Sequence, residues 1–257
     1  MAEKKKILVT GFNTVDIVFG IDGEVENGQK MYAKSMKEYC GGQAANCAYT
    51  LSKLGNDVVY VGRFGDDDKG IRSIESLKIQ GIDILNSEVI KNCNNHIGII
   101  FIDELSGERT IVMRKDERLS LDDFMINRNC LKNVELVYSD GNESLFTLKL
   151  FKVAREMKIS TVLDIEKIDN NIIDVLPYVT VLIAPGNIVT KLSNMDRVED
   201  SVKKLNKMIK IVVATLGNEG SIGIGSDEKI IKIPAKKCKV KDTTGAGDAY
   251  HAGFRCV

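Results

Sequence analysis

The chain has 257 residues, with 36 lysines and arginines balanced by 36 aspartates and glutamates, for a formal net charge of zero. That balance excludes broad non-specific nucleic-acid binding, which needs a net basic surface, and no apolar run approaches the roughly 20 residues of a membrane helix. No signal-peptide core follows the basic start Lys4-Lys5-Lys6, so the expectation is a cytoplasmic protein with one large α/β domain. The cysteines show no Cys-x-x-Cys spacing and only His96 and His251 are available as imidazole ligands. Disulfide-framework and zinc-ribbon readings therefore fail, and the cysteines read as reduced, small apolar residues.

In chain order, Lys6 to Phe12 (KILVTGF) reads as a buried parallel strand closing on Gly11. Asp16 follows it, where open α/β sheets place ligand-binding groups. Ile17 to Ile21 and Lys30 to Tyr39 read as short antiparallel strands. Gly41-Gly42-Gln43-Ala44-Ala45-Asn46 opens a helix running to about Leu54, with Gly55 as its stop. Gln43 and Asn46 lie one turn apart, so both amides are expected to point at one ligand. An amide donates and accepts, which suits hydroxyl-rich molecules.

Asp57 to Phe64 is the next strand, and Asp66-Asp67-Asp68 reads as a solvated loop entering a helix from Ile71 to Gln80. His96 to Asp103 and Glu108 to Arg114 flank Ser106-Gly107 as a hairpin. Four strands, at about 15–40 and 95–115, thus stand outside the alternating pattern and predict a small separate sheet. From Asp122 the strand–helix alternation resumes, with strands at Glu135 to Ser139, Ser160 to Ile165, Val179 to Ile183 and Ile209 to Leu216, and helices at Ser144 to Met157 and Ser201 to Met208. No repeat or low-complexity linker interrupts residues 1–257.

The segment Asp242-Thr243-Thr244-Gly245-Ala246-Gly247-Asp248 follows an extended run, Lys236 to Lys241, and leads into an apolar stretch. Two glycines at a loop-to-helix junction make an anion site from free backbone N–H groups and the helix dipole. Asp248 in that first turn would repel a bound phosphate. It either complements the dipole or serves as the base for a nucleophile attacking phosphorus. No Gly-x-Gly-x-x-Gly follows the first strand and no Gly-Lys-Ser/Thr follows a glycine loop, so Rossmann and P-loop readings are discarded.

These seven residues resemble the closing signature of the PfkB (ribokinase-like) carbohydrate kinases. The Gly41-Gly42 helix start, Gly62-Arg63-Phe64-Gly65-Asp66-Asp67 and Thr215-Leu216-Gly217-Asn218-Glu219-Gly220 are similar to other segments of that family in the same order. The resemblance implies a three-layer α/β/α sandwich with a small β-sheet lid and an ATP-dependent kinase acting on a hydroxymethyl group of a ketose or furanose-type sugar. It further implies Asp248 as base and Gly245, Ala246 and Gly247 as donors to the transferred phosphoryl. Asp16, Gly42, Gln43, Asn46, Arg109 and Asp140 would hold the substrate, and Thr215, Gly217, Gly220 and Thr244 the nucleotide. Mg²⁺ would accompany ATP, and Asp242 and Thr244 would flank a monovalent cation such as K⁺. Pairing through the lid would make a homodimer. A nucleoside kinase of the same fold, or a non-catalytic sugar- or nucleotide-binding relative, are the alternatives.

Three departures qualify the resemblance. Gly186-Asn187-Ile188-Val189 stands where the family often has Asn-x-x-Glu, leaving Asp164 or Glu166 to replace that acid. Gln43 stands where ribokinases usually have lysine, and Tyr250-His251 resembles the Phe-His of some sulfofructose-kinase-like and ketose-kinase-like members, with His251 expected to pack within its helix rather than touch the nucleotide. Family members also continue for some tens of residues past the signature helix, so a closing C-terminal layer is expected to be missing after Val257.

Overall fold

The computed structural model describes residues 4–238 and 245–254. Its strands and helices, in chain order, are β1 (Lys6–Thr10), β2 (Thr14–Ile21), β3 (Ser35–Gly41), α1 (Gln43–Lys53), β4 (Asp57–Val61), β5 (Arg63–Gly65), α2 (Asp68–Ile79), β6 (Glu88–Ile90), β7 (Ile97–Asp103) and β8 (Arg109–Arg114). There follow β9 (Leu136–Ser139), α3 (Ser144–Glu156), β10 (Ser160–Asp164), α4 (Ile172–Val175), β11 (Val181–Pro185), α5 (Gly186–Ser193), α6 (Val198–Asn206), β12 (Ile211–Thr215), β13 (Ser221–Ile224), β14 (Ile230–Ile233) and α7 (Ala246–Phe254).

The main sheet runs β14-β13-β12-β11-β10-β9-β1-β4, with every neighbouring pair parallel except β12–β13 and β13–β14, which are antiparallel. Alternation along each strand sorts its apolar residues between two cores. On β1, Leu8 faces the cluster built with α3, α4, α5 and α6, while Ile7 and Val9 face the cluster built with α1, α2 and α7. Helices cover both faces, which gives the expected three layers. Ala44, Ala45 and Ala48 give α1 a shallow packing face within the second core, and α1 lies against α7.

The four predicted extra strands form one sheet in the order β3-β2-β7-β8, with β2 antiparallel to β3 and parallel to β7. Its register puts Asp16, Gly98 and Met113 in one row across the sheet, and Val18, Ile100 and Ile111 in the next. Period-2 alternation therefore turns Asp16, Ile100, Arg109, Ile111 and Met113 to a single face. The chain crosses between the sheets several times, and buried polar residues tie two crossings together. Asn13, after β1, donates to the Tyr60 hydroxyl (3.2 Å) and accepts from Asn95 Nδ2 (3.0 Å), just before β7.

Several boundaries depart from the sequence reading. Asp16 lies inside a lid strand rather than in a loop. The run Asp57 to Phe64 breaks at Gly62, where a Cβ would stand 2.7 Å from the Tyr60 ring. The second helix begins three residues early, at Asp68, because Asp67 caps it by accepting from Gly70 N (2.9 Å). Asp66 accepts from the amides of Asn92 (2.9 Å) and Cys93 (3.1 Å), so the acidic loop is an anchor for residues 92–95. Residues 30–34 are not strand, and β6, β13, β14, α4 and α5 were not anticipated. The described cysteines are unpaired. Cys47, Cys93 and Cys130 are buried, whereas Cys238 is exposed. Among the described residues no helix is long and apolar enough to cross a membrane.

Candidate active site

The parallel strands of the main sheet deliver their C-terminal ends to one edge, the usual ligand edge of open α/β sheets. Asp140 follows β9 directly and is buried there. Its carboxylate accepts from Phe12 N (2.7 Å) and Asn142 N (3.0 Å). Burial lifts its pKa to about 7 despite those two donors.

Asp16 reaches the same edge from the lid. A Cβ on Gly41 would stand 2.5 Å from Asp16 Oδ2, and one on Gly98 2.4 Å from Oδ1. Glycine on both neighbouring strands is thus what admits the carboxylate. Burial raises its pKa, opposed by the Thr14 hydroxyl, which donates to Oδ1 at 2.9 Å.

At the start of α1, Gly42 has φ 99° and ψ 137°, and a Cβ there would lie 2.5 Å from Phe12 O. Its part is conformational, because only glycine accepts both that backbone and that contact. The amides that follow divide their work. Gln43 Oε1 accepts from Asn142 Nδ2 (3.2 Å), while its Nε2 is buried without a partner. Asn46 Nδ2 donates to Asp248 Oδ2 (2.8 Å). The two amides therefore share a site, but one of them holds an acid of the protein itself.

That acid opens α7. Gly245 has φ 72°, and the first helical bond runs from Ala249 N to Gly245 O (2.9 Å). The amides of Ala246, Gly247 and Asp248 are left without helical acceptors. Burial lifts the Asp248 pKa to about 6; Asp164 and Glu166 add to this, while Asn46 and the His251 charge oppose it.

His251, one turn further along, was expected only to pack within its helix. It is buried, with Nδ1 2.5 Å from Asp164 Oδ2, and the same oxygen accepts from the Tyr138 hydroxyl (2.6 Å). Burial pulls the imidazole pKa down, but the hydrogen bond and charge of Asp164 more than reverse that, and the net direction is up. A buried ion pair thus ties α7 to β10. The sequence signal was a histidine three residues after Asp248 and an aspartate ending a buried strand, and neither indicates the other.

A cavity of about 470 Å³ lies between the inner lid face and these strand ends. Of the residues anticipated from sequence, Asp16, Gly42, Gln43, Asn46, Arg109, Asp140, Gly245, Gly247 and Asp248 line it. Ala246 is not part of the lining but sits between two residues that are. Thr215, which ends β12, and Gly217 and Gly220, on the turn between β12 and β13, lie outside this cavity. That turn is linked to α7 by Tyr250, whose hydroxyl donates to Ser221 Oγ (2.8 Å). Asp242 and Thr244 lie outside the described residues.

Sequence reasoning did not identify Lys115 and Lys167, which also line the cavity. Of the two acids offered in place of the family's glutamate, Asp164 is fully buried against Tyr138 and His251, whereas Glu166 lines the cavity. Burial and Asp164 raise the Glu166 pKa, with His251 and Arg109 opposing. No group of three or more His, Cys, Asp or Glu placed to hold a metal occurs among the described residues.

The chain is 26% identical over 277 residues to a ribokinase of Dictyostelium discoideum, covering 98% of this chain and 86% of that one. It is also 26% identical over 249 residues to a 5-dehydro-2-deoxygluconokinase of Clostridium perfringens, covering 86% of this chain and 72% of the relative. The structure of Arabidopsis thaliana ribokinase complexed with ribose and ATP superposes with a TM-score of 0.82 at 23% identity, over 99% of this chain and 86% of that one. The model of the pfkB family carbohydrate kinases matches residues 5–255. With the lid, the three layers and an acid-bearing helix start all in that family's arrangement, the chain belongs to the pfkB family of carbohydrate kinases.

Proposed function

We propose that this carbohydrate kinase transfers the γ-phosphoryl group of ATP to a hydroxymethyl group of a small ketose or furanose-type sugar, with Asp248 as the base. One observation carries the reading. Asp248 sits at the open amide end of α7, has one carboxylate oxygen held by Asn46, and faces a cavity that also holds Asp16, Gln43 and Asp140. Its other oxygen has no donor among the described residues, so it is placed to accept the proton of a hydroxyl. As that proton moves to Asp248, the alkoxide oxygen bonds to the γ-phosphorus and ADP departs with the bridging electron pair. The raised pKa suits a group that must be ionised before the step and hold a proton after it.

The amides of Gly245, Ala246 and Gly247 would stabilise charge on the transferred group without reorganising. Asp16, Asp140 and the unpartnered Nε2 of Gln43 would fix the sugar hydroxyls, while Gly42 sets the backbone that aims Gln43. Thr215, Gly217 and Gly220 would border the nucleotide, brought alongside α7 by the Tyr250–Ser221 contact. Mg²⁺ on the phosphate oxygens would neutralise triphosphate charge, with Glu166 holding its waters. A monovalent cation such as K⁺ beside Asp242 and Thr244 completes the proposal. Lid edges β3 and β8 are both open and would pair two copies into a homodimer.

The test is ADP release across neutral ketoses, ribose and adenosine, with Asp248→Asn as control. Turnover of adenosine alone would make this a nucleoside kinase. Full turnover by Asp248→Asn would remove Asp248 from the role of base.

A further inference from the structure

A second cavity, of about 250 Å³, lies beside β4, the edge strand at the far end of the main sheet from β13 and β14. It shares no lining residue with the cavity beneath the lid. Two stretches of chain enclose it. Residues 83–88 are strapped along β4 by bonds from Tyr60 N to Asp83 O (2.8 Å), Asp83 N to Val58 O (2.9 Å) and Glu88 N to Gly62 O (3.0 Å). Residues 123–130 form the other wall, packed with α3 into the first core. Arg63 pins the two stretches together, donating to Glu88 (2.8 Å) and to Asp123 (2.5 Å). Asn127 Nδ2 adds a second tie, to Asn86 Oδ1 (3.4 Å).

The deep part of the lining is Leu8, Val61, Phe124, Phe146, Leu150 and Cys130, all buried. Close-packed interiors keep few voids larger than a water, and this one offers water little. Its polar lining groups are already tied to one another, to Arg63 or to β4; the Ser87 hydroxyl alone donates to Tyr60 O (2.9 Å) and accepts from Gly62 N (3.2 Å). No buried side-chain nitrogen or oxygen without a partner lies on the wall among the described residues. A water needs two to four polar partners, whereas an apolar cavity of about 150 Å³ stays dry and takes benzene. Glu88 is the one charged residue of the described lining, and Arg63 neutralises it, so a charged guest gains no counter-charge. The Phe124 and Phe146 rings meet edge to face with centroids 5.4 Å apart, the geometry in which aromatic rings attract one another. At the surface, Leu85 is 90% and Met125 83% exposed, and both line the cavity. We infer that this cavity is a second ligand site, which takes a neutral aromatic molecule about the size of indole, with Leu85 and the adaptable Met125 closing over it. The nucleotide turn between β12 and β13 stands at the other end of the sheet, so this ligand is neither the sugar nor the nucleotide.

The experiment titrates indole into the protein by calorimetry, with indole-3-carboxylate as its charged counterpart. Alongside, labelling of the thiols by N-ethylmaleimide is followed residue by residue by peptide mass spectrometry. Indole should bind saturably and the carboxylate should not. With indole at about ten times its Kd, labelling of Cys130 should slow about tenfold, because the reagent reaches that thiol only in the open, empty form. Labelling of the exposed Cys238 should stay unchanged. Cys130→Leu, which extends a side chain into the cavity, should abolish indole binding; if that variant does not fold, protection of Cys130 in the unaltered chain decides alone. Saturable binding that leaves Cys130 labelling untouched would put indole elsewhere, and equal binding of the carboxylate would refute an apolar site. Either result, or no binding at all, overturns the inference. None of these readouts uses turnover, so such a failure leaves the kinase reading intact.

Discussion

Strand β9 of the main sheet is buried at every position, while β8 of the lid is exposed at all six of its positions. Both strands belong to multi-stranded sheets, so hydrogen-bonded pairing does not distinguish them. What differs is what lies on their faces. Main-sheet strands have a helix layer on each side and one apolar core per face. The lid turns one face to the cavity and presents on the other the stacked rings of Phe19 and Phe101, 5.7 Å apart. The lid therefore owes its position to its crossings, above all the Asn13–Asn95 link and the glycine-tight junction at Gly42. Stability resides in one sheet, and part of the cavity lining in the other.

The largest effect that would test this division is on the chemistry. Asp248→Asn should lower kcat on the order of 10²–10⁴-fold, the usual worth of a general base, while sugar binding measured by calorimetry persists. Next comes the contrast between the sheets themselves. Leu182→Ala, fully buried on β11, should cost about 2–5 kcal/mol in urea unfolding, whereas Val112→Ala on the lid should stay within about 0.5 kcal/mol. Equal losses would break the comparison. At the junction, Gly42→Ala must adopt a glycine-only backbone against Phe12 O, and should cost about 1–3 kcal/mol from backbone strain alone. Arg109→Ala, on the cavity face of the lid, should raise the sugar KM by roughly 10–100-fold, as loss of a charge-assisted contact does.

The same division explains what the sequence disclosed. Main-sheet strands such as Lys6–Thr10 and Ile211–Thr215 are continuous apolar runs, and a doubly covered strand has no other pattern to show. The lid hairpin was legible from its Ser106-Gly107 turn. Strands β13 and β14 were missed because they are only four residues each, and β14, at the sheet edge, is largely exposed. Helix α5 was missed because it starts directly at Pro185 without a side-chain cap and carries Ile188, Val189 and Thr190, which are weak helix formers. The cavity acids and amides were legible because they sit in short motifs. Lys115 and Lys167 were not, since 52 positions of chain separate two residues that only the closing of lid over sheet brings together.

The smallest expected effect concerns a pair that spans the helix layer and the main sheet. Asp248 must be ionised to accept a proton, so kcat/KM should fall as pH drops through about 6, the value to which burial lifts it. His251 opposes that lift with its positive charge, held by Asp164. His251→Gln keeps a donor for Asp164 but removes the charge, leaving two carboxylates to raise Asp248 further. The acidic limb should therefore move to higher pH, while kcat well above the limb changes little, because Tyr250 still anchors α7 to Ser221. Asp164→Asn has two opposed consequences, removing a charge that raises Asp248 and also the partner that keeps His251 protonated. The double variant should then depart from the sum of the single shifts, and that difference measures the pair. A limb that stays in place in His251→Gln would mean that the ion pair only fastens the helix to β10 and does not set the charge of the base.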